Sequence, residues 1–181
     1  MFIIQSILSK AYKTTGMLLA ALLFLTVSLQ AQTITPATGG TAISADNFGT
    51  GTWTNLTGPL YGEASSGNVQ NGTIILDVPS GFIFDVGGTA PTVLVTRLTG
   101  SGANSRNIND VADGTSVAIT SISTTQITFT VTDFTTSGVT NSLTWQNVRV
   151  RPTAGAPLAT GNITISGTST MTGVTNGVTN F

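Results

Sequence analysis

Apolar and polar side chains alternate through much of this chain. In Gln126-Ile127-Thr128-Phe129-Thr130-Val131-Thr132, Ile127, Phe129 and Val131 share one side and the threonines the other. Side chains of an extended strand point alternately to its two faces, so this period of two predicts a strand with one face in a core. Residues 73–78 repeat the pattern with Ile74, Leu76 and Val78 inward, and 82–86 repeat it with Phe82, Phe84 and Val86. The same reading predicts strands over 92–99, 116–122, 142–151, 162–166 and 168–174. After residue 32 no segment sustains a period of 3.6, so very little helix is expected.

Turn-forming clusters separate these runs. They include Asn71-Gly72, Pro79-Ser80-Gly81, Gly87-Gly88, Asp113-Gly114 and Gly155-Ala156-Pro157. Gly and Asn tolerate positive φ and Pro presets its own, so each cluster marks a chain reversal. Short strands at such intervals predict an all-β fold, an antiparallel β-sandwich of Ig-like or jelly-roll-like type. The stretch Gly161-Asn162-Ile163-Thr164-Ile165-Ser166 also has the look of a parallel β-helix rung, but no fixed period runs through the chain as a solenoid requires. One predicted strand breaks its own rule. Leu143 and Trp145 share a face, whereas Val148 and Val150 fall on the opposite one. A β-bulge near Gln146-Asn147 would restore a single inner face.

The N-terminal segment has a different pattern. Lys10 and Lys13 precede the apolar run from Met17 to Leu29, which is 13 residues long. That length suits the core of a secretory signal peptide and is short of the roughly 20 residues a spanning helix needs. Leu29-Gln30-Ala31 offers a small residue at the cleavage point. Residues 1–31 are therefore expected to be a helical signal peptide, and 32–181 a single secreted sandwich module without a membrane span.

Beyond residue 31 there are four arginines (97, 106, 149 and 151) against seven carboxylates, so 4 − 7 gives a net charge of −3. No basic field exists to neutralise phosphates, which argues against nucleic acid as a partner. That part of the chain also has no His, Cys or Lys. Ser-His-Asp and Cys-His catalysis, Schiff bases and His- or Cys-ligated metals are thereby excluded, and the expected class is a non-enzyme. Glu63 and Asp85 are the nominees for two-carboxylate glycoside hydrolysis; by pattern, Glu63 is a solvated loop charge and Asp85 faces outward. Calcium is the one cofactor considered. Asn109, Asp110 and Asp113 supply oxygens in one loop, though Val111 interrupts the ligand spacing.

Aromatic rings give the remaining binding signal. Trp53 and Tyr61 lie in Gly-rich stretches and either are exposed, as candidates to stack on a glycan, or cap the open end of the sandwich, while Trp145 lies within a strand and is assigned to the core. Asn55-Leu56-Thr57, Asn71-Gly72-Thr73 and Asn162-Ile163-Thr164 match the N-glycosylation pattern, which chance readily yields in a region holding 32 threonines.

The segment Gly72-Thr73-Ile74-Ile75-Leu76-Asp77-Val78-Pro79-Ser80-Gly81-Phe82-Ile83-Phe84-Asp85 resembles a strand–Pro-x-Gly-Phe–strand segment of immunoglobulin-like and cohesin-like sandwich modules in bacterial surface proteins. The stretch from Asn141 to Pro152, with Gly161-Asn162-Ile163-Thr164, is similar to the later part of such a module. The resemblance implies an adhesin-like sandwich of the Bacteroidetes type, at the cell surface or secreted, with a structural or adhesive role and a glycan or surface protein as partner. A carbohydrate-binding module using exposed aromatics is the alternative. Relatives of this kind commonly continue into repeats and a sorting domain, which leaves three readings open: a truncated reading frame, a fragment (the N-terminal part of a longer protein), or a freely released single module. The resemblance carries over no catalytic or ligand residue.

Overall fold

The computed structural model describes residues 31–134 and 136–181. The expected signal peptide, apart from Ala31, lies outside the described residues. The first six strands are β1 (Thr33–Thr35), β2 (Thr54–Asn55), β3 (Leu60–Gly62), β4 (Gly72–Asp77), β5 (Phe82–Phe84) and β6 (Thr92–Thr99). They are followed by β7 (Thr115–Ala118), β8 (Ser121–Ile122), β9 (Gln126–Val131), β10 (Thr140–Gln146), β11 (Arg149–Pro152) and β12 (Thr164–Gly167). Pairing is antiparallel throughout. One sheet runs β1-β3-β10-β6-β7, a second β12-β4-β9-β8, and a shorter third β2-β11-β5. Helical structure among the described residues consists of short 3-10 turns.

The core forms where the alternation said it would. Ile127, Phe129 and Val131 of β9 and Ile74 and Leu76 of β4 are buried, as are Val93 and Val95 of β6 and Leu143 and Trp145 of β10. The Trp145 ring bridges the layers. It meets Phe129 edge-on at 6.4 Å and Phe181 at 5.9 Å, both T-shaped contacts. Such geometry favours the ring quadrupoles beyond the burial itself. Burying each large aliphatic or aromatic side chain contributes roughly 1.5–3 kcal/mol, which lets the core form without crosslinks. On the outer face of the second sheet, threonines pair across strands: Thr73 with Thr168 at 3.1 Å, and Thr130 with Thr120 at 2.7 Å.

The third sheet arises because the chain changes layer. The phase slip read near Gln146-Asn147 is present, with Asn147 in the left-handed region at φ 58. It does more than bulge a strand. β10 pairs with β3 and β6 before it, and β11 pairs with β2 and β5 after it. Trp145, Val148 and Val150 all end up buried. The predicted strand 116–122 is likewise two strands, β7 in the first sheet and β8 in the second. The Pro79-Ser80-Gly81 turn carries the chain from β4 to β5. Strands that switch sheets in this way make the corners of a sandwich.

Two expectations are corrected. Val86 is 54% exposed, because β5 ends at Phe84 and the alternation ends with it. Residues 168–174 form no strand, only a bridge from Met171 to Val69. The segment before residue 72 holds β1, β2 and β3, which are too short to show an alternation. Gly58 explains why β3 approaches β10 so closely. A Cβ there would lie 1.6 Å from the Trp145 carbonyl oxygen, and the Trp145 N–H donates to the Pro59 carbonyl at 3.0 Å.

Candidate functional site

Glu63 follows β3 directly and is a buried acid, 3% exposed, rather than a solvated loop charge. Its carboxylate accepts from the Val69 N–H at 3.0 Å and from the Asn141 N–H at 2.9 Å, with the Asn141 side-chain amide at 3.5 Å. The Glu63 N–H donates back to the Asn141 carbonyl at 2.9 Å. Glu63 therefore ties the 63–69 loop to the start of β10. Burial pushes its carboxyl above the ordinary value, and the N–H donors of Asn141 and Val69 only partly reverse this. Tyr61, nominated for glycan stacking, is also in the core with no exposed surface, its hydroxyl donating to the Thr172 carbonyl at 2.9 Å. Burial and, second, the Glu63 carboxylate raise its phenol well above the usual range. In Leu60-Tyr61-Gly62-Glu63 the strand was too short to tell inside from outside.

Asn109 and Asp113 bond to different parts of the fold. The Asn109 side chain caps the end of β9. Its amide donates to the Thr130 carbonyl at 2.9 Å, and its oxygen accepts from the Thr132 N–H at 2.8 Å. The Asp113 carboxylate accepts from the Arg97 N–H at 2.7 Å. Asp110 is exposed, and its backbone sits at φ 55 beside Asn109 at φ 58. No group of three or more His, Cys, Asp or Glu side chains clusters among the described residues.

The third sheet carries a polar cluster on its outer face. Val150 is buried, so Arg149 and Arg151 on either side of it project the other way. Arg149 pairs with Asp85 at 3.0 Å. Asp85 does lie opposite the inward Phe84, but it is covered, 8% exposed, and also accepts from the N–H groups of Gly87 at 2.9 Å and Gly88 at 3.1 Å. One step beyond the Thr54–Val150 pair, Trp53 meets Arg151, whose guanidinium lies 4.3 Å from the indole centroid. Trp53 is half-buried. The Arg151 side chain has no hydrogen bond or ion pair to any described residue, and its Nε, like that of Arg149, is buried without an acceptor. Glu63 and Asp85, the two nominated acids, thus sit in separate networks that share no partner.

A cleft of about 120 Å³ opens between Leu56, Pro79, Phe82, Ile163 and Phe181. Small-molecule sites usually enclose roughly 300 Å³ or more; a second, more open hollow of about 400 Å³ along Thr168, Met171 and Asn176 is lined by no charged side chain, so the outer face of the third sheet is the better candidate surface. The alternation in Arg149-Val150-Arg151 could have exposed both arginines to sequence reasoning. Their partners could not be read, because Trp53 and Asp85 reach them only through sheet pairing.

The fold and these residues define an all-β antiparallel sandwich whose buried acids staple loops and whose Arg151 stacks on Trp53. Searches of protein-family models, curated proteins and solved structures find no match to the chain.

Proposed function

We propose that the chain is a non-catalytic, extracellular or cell-surface sandwich module with a structural or adhesive role, of the immunoglobulin-like or cohesin-like kind found in bacterial surface proteins. The observation that carries this reading is the use of Glu63. The acid best suited by burial to general acid chemistry has both oxygens committed to N–H donors of the fold. The apolar run from Met17 to Leu29 supports export, and the resemblance of residues 72–85 and 141–152 supports a surface protein that continues beyond this module. Cell fractionation followed by adhesion assays on polysaccharides and matrix proteins tests it. Protein confined to the cytosol would refute export, and uniformly blank adhesion would leave only a spacer role.

The Trp53–Arg151 stack favours a second reading, carbohydrate binding by the outer face of the third sheet. It now rests on Trp53 alone, since Tyr61 is internal. Loss of polysaccharide retention on Trp53→Ala with unchanged circular dichroism supports it; no retention by the unmutated protein ends it.

A further inference from the structure

Arg151 stands apart from the other arginines in what it bonds. Arg97 donates to the Asn107 side chain at 2.9 Å and to the Gly102 and Ala103 carbonyls at 3.2 Å. Arg106 donates to the Ser101 carbonyl at 3.3 Å, and Arg149 is neutralised by Asp85. Among the described residues the Arg151 guanidinium donates to no oxygen at all, and like Arg97 and Arg106 it has no ion pair. The Arg151 Nε is buried, like the equally unpartnered Nε of Arg149, so the donors that Arg151 leaves open to a ligand are its two terminal nitrogens. Stacking on Trp53 uses the face of the guanidinium and leaves its terminal N–H groups free, so the fork is held in place without spending those donors.

We propose that this stack binds the carboxylate of an acidic sugar, a uronate unit of a polysaccharide; the proposal rests on the carbohydrate-binding reading of the Trp53 face. The planar fork of a guanidinium matches the two oxygens of a carboxylate. On a module of net charge −3 one stacked arginine suits an isolated acid group, and a dense polyphosphate is repelled. An apolar surface for the sugar ring lies nearby. The 3-10 turn Ala45–Asn47 packs against β11, and Phe48, which follows that turn, is 52% exposed with its ring edge against the face of Gly155.

Affinity electrophoresis in native gels containing polygalacturonate, dextran sulfate or neutral dextran tests the proposal. The unmutated protein is expected to be retarded by polygalacturonate and to lose retardation as salt rises. Arg151→Gln is expected to bind at least about tenfold more weakly, and Trp53→Ala several-fold more weakly. Arg106→Gln removes the same charge elsewhere and should bind like the parent. Equal loss in Arg151→Gln and Arg106→Gln would overturn the site, because only net charge would then matter. Retention by dextran sulfate alone would overturn the carboxylate assignment. Retention by neutral dextran that depends on Trp53 but not on Arg151 would keep the glycan reading and overturn the acidic ligand. No retention on any polymer, with native circular dichroism, would overturn both.

Discussion

Replacing Glu63 by leucine separates a structural carboxylate from an incidental one. The side chain keeps its approximate volume, but the Val69 and Asn141 N–H groups lose their acceptor. Each buried donor left unpaired costs about 1–3 kcal/mol. Removing a carboxylate that is itself costly to bury offsets part of that, leaving a net loss of about 2–4 kcal/mol. For a domain of this size that lowers Tm by roughly 5–15 °C. The pH dependence gives an independent check. Burial raises the folded-state pKa of Glu63 above its ordinary value of 4.5, so the native state binds the proton more tightly than the unfolded chain. Its contribution to stability is full below that value and is lost as pH rises through the raised pKa. The gap between parent and Glu63→Leu should therefore be widest in acid and narrow toward neutral pH. Thermal melts followed by circular dichroism from pH 3 to 8 (a range chosen to bracket roughly the ordinary carboxyl pKa and neutrality) read both effects. A Tm change under about 2 °C, or a gap independent of pH, would refute the argument.

Other substitutions probe the remaining joints. Trp145→Ala should cost about 3–5 kcal/mol in chemical denaturation, whereas Trp145→Phe should cost far less, because the indole N–H it deletes is buried without a partner. Asn147 holds φ 58 where β10 hands over to β11; Asn147→Val should destabilise by about 1–2 kcal/mol and Asn147→Gly by little or nothing. Asn109→Ala removes the cap on β9 and a residue tolerant of φ 58; a loss of about 1–3 kcal/mol is expected from melts, and it should be the same with or without added calcium.

Period-two patterning made the central strands legible. β4 and β9 are each long enough for three inward residues or nearly so, and both lie where Ile74, Leu76, Ile127, Phe129 and Val131 placed them. β1, β2 and β3 have two or three residues each and owe their existence to partners distant in sequence, so local pattern carried no trace of them. The slip at Gln146-Asn147 was visible because Trp145 and Val150 could not share a face. Its consequence, a change of sheet, was not visible, since that depends on where β2 and β5 lie. Site residues followed the same division. Polarity and glycine neighbours suggested that Tyr61 and Glu63 were exposed. Tertiary packing overrode that by supplying the Thr172 carbonyl for one and the Val69 and Asn141 N–H groups for the other.

The architecture itself stands on Trp145 of β10 reaching across to Phe129 of β9 and on to Phe181. Nuclear Overhauser contacts from the Trp145 indole are the most direct measurement of it. Strong cross-peaks to both phenylalanine rings, with the indole N–H slow to exchange, are predicted. An indole that exchanges freely and shows contacts only to its own sequence neighbours would contradict the layered core.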